Sequence, residues 1–134
     1  MARREHSCRE LSAKLLSKGY EQTLVSETVA ALQAQRLLSD ERFTEALIRA
    51  RRARGLGPVR IQQELQEKGI GDELIEAKLD FSSDAWMDEL DRVRRKKFGD
   101  SLPGGNATRA KQTRFLQYRG FTLEQIQRIW NPRD

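Results

Sequence analysis

A glycine preceded by a basic residue and followed by an apolar one recurs in this chain at a nearly constant interval. Lys18-Gly19-Tyr20, Lys68-Gly69-Ile70 and Arg119-Gly120-Phe121 each follow a leucine four residues before the glycine (Leu15, Leu65 and Leu116), and the glycines are 50 and 51 residues apart. Recurrence at a fixed period marks an array of similar units rather than one irregular globule. The three residues form a helix stop. Glycine at C′ adopts the left-handed conformation that ends a helix, and the leucine at C3 then meets the apolar residue at C″. The cation before glycine sits at the negative end of the helix dipole.

The rest of the chain is patterned as helices, with no alternating strand run. Ser7 and Glu10 have the spacing of a capping box, and Leu11, Leu15 and Leu16 follow on one face before Gly19. A second helix is predicted from about 21 to 36, with Leu24 or Val25, Thr28, Val29 and Leu32 inward. Ser39-Asp40 opens a third, carrying Phe43, Ala46, Leu47, Ala50 and Ala53 on one side and ending at Gly55. Pro58 suits the first position of a fourth, which runs to Lys68 with Ile61 and Leu65 inward. A short fifth spans about 72–79. A long sixth begins after Ser82-Ser83-Asp84 with Trp86, Leu90 and Val93 on its stripe. After the glycine-rich loop 99–106 come helices over about 107–118 and, opened by Thr122-Leu123-Glu124-Gln125, to Asn131-Pro132.

Superposing the glycines defines the unit: long helix, short helix, stop, closing helix. Phe43 aligns with Trp86, Leu47 with Leu90 and Ala50 with Val93. The fold class is therefore all-α, with three tandem three-helix, helix-turn-helix-like repeats: residues 1–38, which lack most of a first helix, 39–81 and 82–134. A period near 50 lies outside the usual α-solenoid repeats of roughly 33–47 residues. Units of ~50 residues are marginal alone, so neighbours are expected to support one another.

Little here suits catalysis. Cys8 and His6 are the only cysteine and histidine, so no intrachain disulfide forms and a metal site built from Cys and His is nearly excluded. Cys8 sits one residue past an N-cap, where a helix terminus can lower a thiol pKa, but no base accompanies it. Gly55-Leu56-Gly57-Pro58 lacks the lysine of a phosphate loop. The pairs Asp40-Glu41 and Asp72-Glu73 belong to first helical turns and complement the dipole. No catalytic residue, metal or cofactor is expected. No apolar run is long enough to cross a membrane, and a cytoplasmic setting is expected.

The informative residues are basic. The net charge is +5, and the excess is confined to one region: residues 1–48 and 49–84 each carry 7 Lys/Arg against 7 Asp/Glu, whereas 85–134 carry 11 against 6. Arg49, Arg51, Arg52 and Arg54 end one long helix. Arg92, Arg94, Arg95, Lys96 and Lys97 end its counterpart, and Arg109, Lys111 and Arg114 lie on the short helix of the last unit. Helix ends favour cations, but four or five in succession exceed what a dipole needs and repel one another. At 100° per residue Arg49, Arg52 and Arg95 point away from the apolar stripes. These residues form a candidate surface for a polyanion or an acidic protein. Phe43, Trp86, Phe115, Phe121 and Trp130 fall at core spacing and are expected to pack rather than stack on bases.

Three separated segments resemble the signatures of the RecX family of bacterial recombination regulators. They are Leu38-Ser39-Asp40-Glu41-Arg42-Phe43 with Arg54-Gly55-Leu56-Gly57-Pro58, Arg60-Ile61, Glu64-Leu65 and Lys68-Gly69-Ile70; the tail Arg114 to Phe121; and the start Arg3-Arg4-Glu5-His6-Ser7 with Glu10-Leu11 and Lys14-Leu15. The resemblance covers essentially the whole chain. It implies an elongated, curved array of the three repeats. It also implies a non-enzymatic regulator that binds RecA, lies in the groove of the RecA–DNA filament, and inhibits RecA's ATPase, strand-exchange and coprotease activities. The basic residues above, with Arg60, become the candidate filament-binding set, and Gly19, Gly55, Gly69 and Gly120 the structural stops. The protein is expected to act as a monomer, with a weak direct DNA contact left open. Family members carry a longer segment ahead of the Arg-Glu-His-Ser-like start, so repeat one is expected to be cut short. The alternative reading is a stand-alone helix-turn-helix-like DNA-binding protein.

Overall fold

The computed structural model describes residues 5–131. Arg3, Arg4 and Pro132, used above at the two ends, lie outside the described residues. Within them are eight helices: α1 (Cys8–Ser17), α2 (Gln22–Ala34), α3 (Asp40–Ala53), α4 (Pro58–Glu67), α5 (Asp72–Lys78), α6 (Ala85–Phe98), α7 (Asn106–Tyr118) and α8 (Leu123–Trp130). The described residues contain no strand, so the protein is an all-α repeat array. Helices pack mainly within their units: α1 on α2, α3 with α4 and α5, and α6 with α7 and α8.

Local chemistry explains the boundaries. Ser7 Oγ accepts the Glu10 N–H at 3.0 Å, and Ser39 Oγ accepts the Arg42 N–H at 3.1 Å. Thr122 and Gln125 form a complete capping box at the start of α8. Each cap satisfies a donor that the helix start leaves unpaired. Pro58 occupies N1 of α4. At the stops, Gly19, Gly69 and Gly120 have φ of 96°, 80° and 104°. The N–H groups of Tyr20, Ile70 and Phe121 donate back to the carbonyls of Leu15, Leu65 and Leu116, and the glycine N–H groups to Leu16, Gln66 and Gln117. That pair of bonds is a Schellman motif. Gly55 ends α3 in the same way, with φ 79°. Arg36, with φ 61°, does so for α2 without being a glycine.

The apolar residues divide into two clusters. Units two and three share one core, built from Phe43, Leu47, Ile61, Leu65, Trp86, Leu90, Leu116, Ile126 and their neighbours. Unit one has a separate small core of Val25, Val29 and Leu38. Val25 takes the inward position on α2, and Leu24 stays 50% exposed. On α3 the buried face is Phe43, Thr44, Leu47 and Ile48, whereas Ala50 and Ala53 are exposed. That corrects the expected stripe. Thr44 can be buried because its Oγ1 donates to the Asp40 carbonyl at 2.7 Å. Of the aromatics, Phe43, Trp86 and Phe121 are buried, and Phe115 and Trp130 pack partly buried against the same core.

The units are joined by backbone. The carbonyl before each of the last two stop glycines receives a donor from the preceding unit. Ser7 Oγ donates to Lys68 O at 2.8 Å, and Gly57 N–H donates to Arg119 O at 2.8 Å. Ser7 and Gly57 are both N-caps of their unit's short helix. Val59 N–H adds a bond to Gly120 O at 2.8 Å, and Lys68 Nζ meets Glu10 Oε2 at 2.9 Å. The start of one short helix thus rests on the stop of the next, and unit one leans on two as two leans on three.

Candidate functional site

The structure divides the basic residues into those used by the fold and those left over. Arg51 makes two parallel bonds to Glu64 of α4, at 2.7 and 2.6 Å. The shared hydrogen bonds hold the Glu64 carboxyl below its usual range. Arg52 pairs with Glu89 of α6 at 2.7 Å, and its guanidinium lies 4.4 Å from the centre of the Trp86 ring. Arg94 is 1% exposed, bonded to Asp91 and to the Ser101 carbonyl, and so tethers the loop after α6. These three correct the expectation of a free basic stripe. Arg52 does point away from the stripe of its own helix, but the next unit covers that face. Arg95 is half exposed and pairs with Asp91 at 2.7 Å. Arg60 lays its stem on Gly120 and its guanidinium 5.4 Å from the Tyr118 ring centre, and Arg109 sits 5.8 Å from that of Trp130. Arg49, Lys111 and Arg114 are exposed, without an ion-pair partner among the described residues.

The remaining cations converge. A groove of about 430 Å³ runs between units two and three, where the end of α3 faces α6 and the end of α7. Arg54, Arg92, Lys96, Lys97 and Arg119 line it together with Ala53, Val93 and Phe115, and no carboxylate lines it. Lys97 Nζ stands 5.6 Å from the centre of the Phe115 ring, and Phe98 holds that ring edge-on at 5.3 Å. Among the described residues Arg54, Arg92, Lys96 and Lys97 have no ion-pair partner. The groove beside Arg49 differs, because Glu5 and Glu64 share its lining.

Arg119 belongs to this groove although the linear pattern marked it only as a cation before a stop. Its guanidinium donates to the carbonyls of Gly55, at 3.3 Å, and Arg54. Those are carbonyls at the end of α3, which carry negative partial charge. By covering them Arg119 removes a repulsion that any incoming anion would meet. The Cβ that Gly55 lacks would fall 2.9 Å from an Arg119 nitrogen and 3.0 Å from Val93, so glycine is also what lets this corner close. Four unpaired cations around one groove repel each other, and a bound anion relieves that cost.

Cys8 is not an activated thiol. Burial, followed by the negative charge of Asp40, pushes it up to about 11. The Asp40 carboxylate accepts the Cys8 N–H at 2.8 Å, so the anion occupies the α1 terminus that would otherwise acidify the thiol. Among the described residues no cluster of His, Cys, Asp and Glu could hold a metal ion, and no helix is long and apolar enough to cross a membrane.

Comparison with known proteins agrees with this architecture. Residues 39–79 match the model of the second three-helix domain of RecX, and residues 87–130 that of the third. The regulatory protein RecX of Halorhodospira halophila is 40% identical over 126 residues, covering 94% of this chain and 78% of the relative. That of Pseudomonas entomophila is 40% identical over 134 residues, covering this whole chain and 86% of the relative. The crystal structure of RecX from Lactobacillus salivarius superposes with a TM-score of 0.79 at 21% identity, over 94% of this chain and 84% of that one, which establishes likeness of fold.

Proposed function

The chain belongs to the RecX family, and on that premise we propose that it binds RecA and the RecA–DNA filament and inhibits RecA's ATPase, strand-exchange and coprotease activities without catalysing a reaction itself. The observation that supports this reading beyond family membership is the set of exposed cations without an ion-pair partner among the described residues, Arg49, Arg54, Arg92, Lys96 and Lys97, carried on successive units of one array. A filament groove is long, walled by protein and close to phosphates. Units joined by backbone present several modest contacts at once, and linkage raises their combined affinity through effective concentration. The setting in which RecA works is the cytoplasm, and the regulator is assigned there with it.

The stand-alone DNA-binding alternative has weaker support. In a helix-turn-helix protein the helix after the turn enters the major groove by its N-terminal end. Here the helices after the stops begin at carboxylates: Glu21 before α2, Asp72 and Glu73 in α5, and Glu124 in α8. Those charges repel phosphates. The N-termini of α1 and α4 are covered by the next unit's stop.

DNA-dependent ATP hydrolysis by RecA tests the reading. The protein alone should hydrolyse nothing above buffer, and substoichiometric amounts should depress RecA's rate. Unchanged RecA turnover at saturating protein would sink the proposal. Co-sedimentation with filaments and with naked DNA in one buffer separates it from the alternative.

A further inference from the structure

We propose that the open face of unit one, between α1 and α2, is a docking groove for an amphipathic helix of another protein, one that carries an aromatic residue and a leucine four positions later on its apolar side. The repeat itself carries this. A groove of about 270 Å³ on unit one is lined by Leu15, Tyr20, Leu24, Val25 and Thr28. The same five positions of unit two, 50 residues on, are Leu65, Ile70, Leu74, Ile75 and Lys78. There they are covered by the long helix α3. Leu65, Ile70 and Ile75 share one core with Phe43 and Leu47, Leu74 packs against it, and Lys78 bonds Glu41 and Glu45 of α3 at 2.8 and 3.2 Å. In unit three the counterparts Leu116, Phe121 and Ile126 lie in the core with Trp86 and Leu90 of α6.

Exposure separates the units. Tyr20 is 52% exposed, whereas its counterparts Ile70 and Phe121 are 4% and 2% exposed. Leu24 is 50% exposed, and Leu74 is half-buried. Among the described residues no helix precedes α1, so the face that α3 covers in unit two and α6 in unit three lies open in unit one. Leu16 extends it, 44% exposed at the position where units two and three have the exposed Gln66 and Gln117. Large apolar side chains gathered on one exposed face mark an interaction surface, and a groove between helices takes an amphipathic helix through anchors at i and i+4. Units two and three define those anchors as Phe43 with Leu47 and Trp86 with Leu90. They also define the charge. The counterpart of Lys78 is Thr28, whose Oγ1 donates to the Leu24 carbonyl at 2.8 Å, so no cation waits there for a carboxylate. The docked helix is therefore uncharged where α3 has Glu41 and Glu45. The long helices of a second copy cannot serve, because Phe43, Leu47, Trp86 and Leu90 are buried in their own cores. The helix comes from another protein. The proposal goes beyond the regulatory reading and is tested without RecA.

The test uses the full chain and fluorescence anisotropy of a labelled peptide with the sequence of residues 40–53, changed by Glu41→Ala and Glu45→Ala. A hydrocarbon staple between positions 49 and 53, both exposed on α3, keeps it helical, since a free helix of that length is marginal in water. Saturable binding to the parent chain is expected. A peptide that also carries Phe43→Ala and Leu47→Ala should bind at least about tenfold more weakly, and so should the original peptide to the chain variant Tyr20→Glu. Tyr20 is exposed, so the fold of that variant should persist by circular dichroism. Leu102→Glu, which removes an exposed leucine on the remote loop after α6, should bind like the parent. The proposal is overturned if the peptide fails to bind the parent, if Tyr20→Glu binds it as tightly, or if the alanine peptide binds as well as the original. Sedimentation equilibrium of the parent and of Tyr20→Glu should show monomers at the same concentrations. A parent dimer that Tyr20→Glu abolishes would assign the groove to a second copy and overturn the proposal as well.

Discussion

The Cβ that Gly57 lacks would lie 2.5 Å from the carbonyl carbon of Gly120, so two units of this array meet backbone to backbone. Gly57 has φ −89°, which any residue adopts, and the need for glycine there arises only from the neighbouring unit. Gly19 is the opposite case: φ is +96°, and an added Cβ would meet nothing within 4 Å. Gly57→Ala should therefore cost more than Gly19→Ala. Alanine at 19 carries only conformational strain, about 1 kcal/mol. Alanine at 57 must push units two and three apart, breaking their hydrogen bonds, and should exceed about 2 kcal/mol. Urea unfolding of the two variants decides it. Equal losses would mean the joint yields freely.

The three repeated stops should also separate in energy. A Cβ on Gly120 would lie 2.8 Å from Arg60 Cβ and 2.9 Å from its backbone nitrogen. A Cβ on Gly69 would lie 2.3 Å from Arg9 Cδ and 2.7 Å from Arg9 Cβ, but its three nearest atoms are all side chain, with no backbone atom such as Gly120 would meet. Alanine should cost most at 120, less at 69 and least at 19. Melting temperatures should fall in that order, although the linear motif makes the three positions equivalent.

Arg52 and Arg92 look alike in sequence and should behave differently. Arg52→Glu removes the guanidinium from Trp86 and sets a carboxylate beside Glu89, an expected loss of about 2–3 kcal/mol. Arg92→Glu disturbs no described partner and should stay within about 0.5 kcal/mol while weakening filament binding. A filament-binding defect in Arg52→Glu accompanied by unfolding would say nothing about contact. The same defect in Arg92→Glu at full stability would.

Arg36 ends α2 in the left-handed conformation with φ 61°. Glycine is the residue that suits this position. Arg36→Gly should raise stability by about 0.5–1 kcal/mol, because relief of the strain exceeds the added freedom of the unfolded chain. Unchanged or lower stability in thermal unfolding would show that the Arg36 side chain does more than end the helix.

The raised Cys8 thiol carries a pH signature. In the unfolded chain the thiol ionises first, so its contribution to stability is fully present below about pH 9. It is lost as pH rises toward about 11. Denaturant titrations across that window should show a steeper alkaline decline for the parent than for Cys8→Ala. Alkylation of the native thiol near pH 8 should be slower than that of an unfolded control. Parallel alkaline profiles would remove burial and Asp40 as the cause.

Eight helices, their caps and their glycine stops were legible in the chain because each depends on residues within one or two turns. Ser7 and Glu10, Thr122 and Gln125, and Leu116 with Gly120 and Phe121 carry their geometry in their spacing. The alanine side of α3 misled, because periodicity cannot tell which of two adjoining faces a neighbour will cover, and Thr44 and Ile48 took the burial that Ala50 and Ala53 were expected to share. The basic residues were legible as a set but not as individuals. Spacing located Arg51, Arg52, Arg54, Arg92 and Arg94 at helix ends. Only the tertiary fold put Glu64 beside Arg51 within unit two, brought Glu89 of unit three to Arg52, closed the loop of Ser101 over Arg94, and left Arg54 and Arg92 lining an open groove with Arg119. A helix end is a local property, set by backbone hydrogen bonds a few residues long. Whether a charge is paired or free depends on which distant carboxylate the tertiary fold brings within a few ångströms.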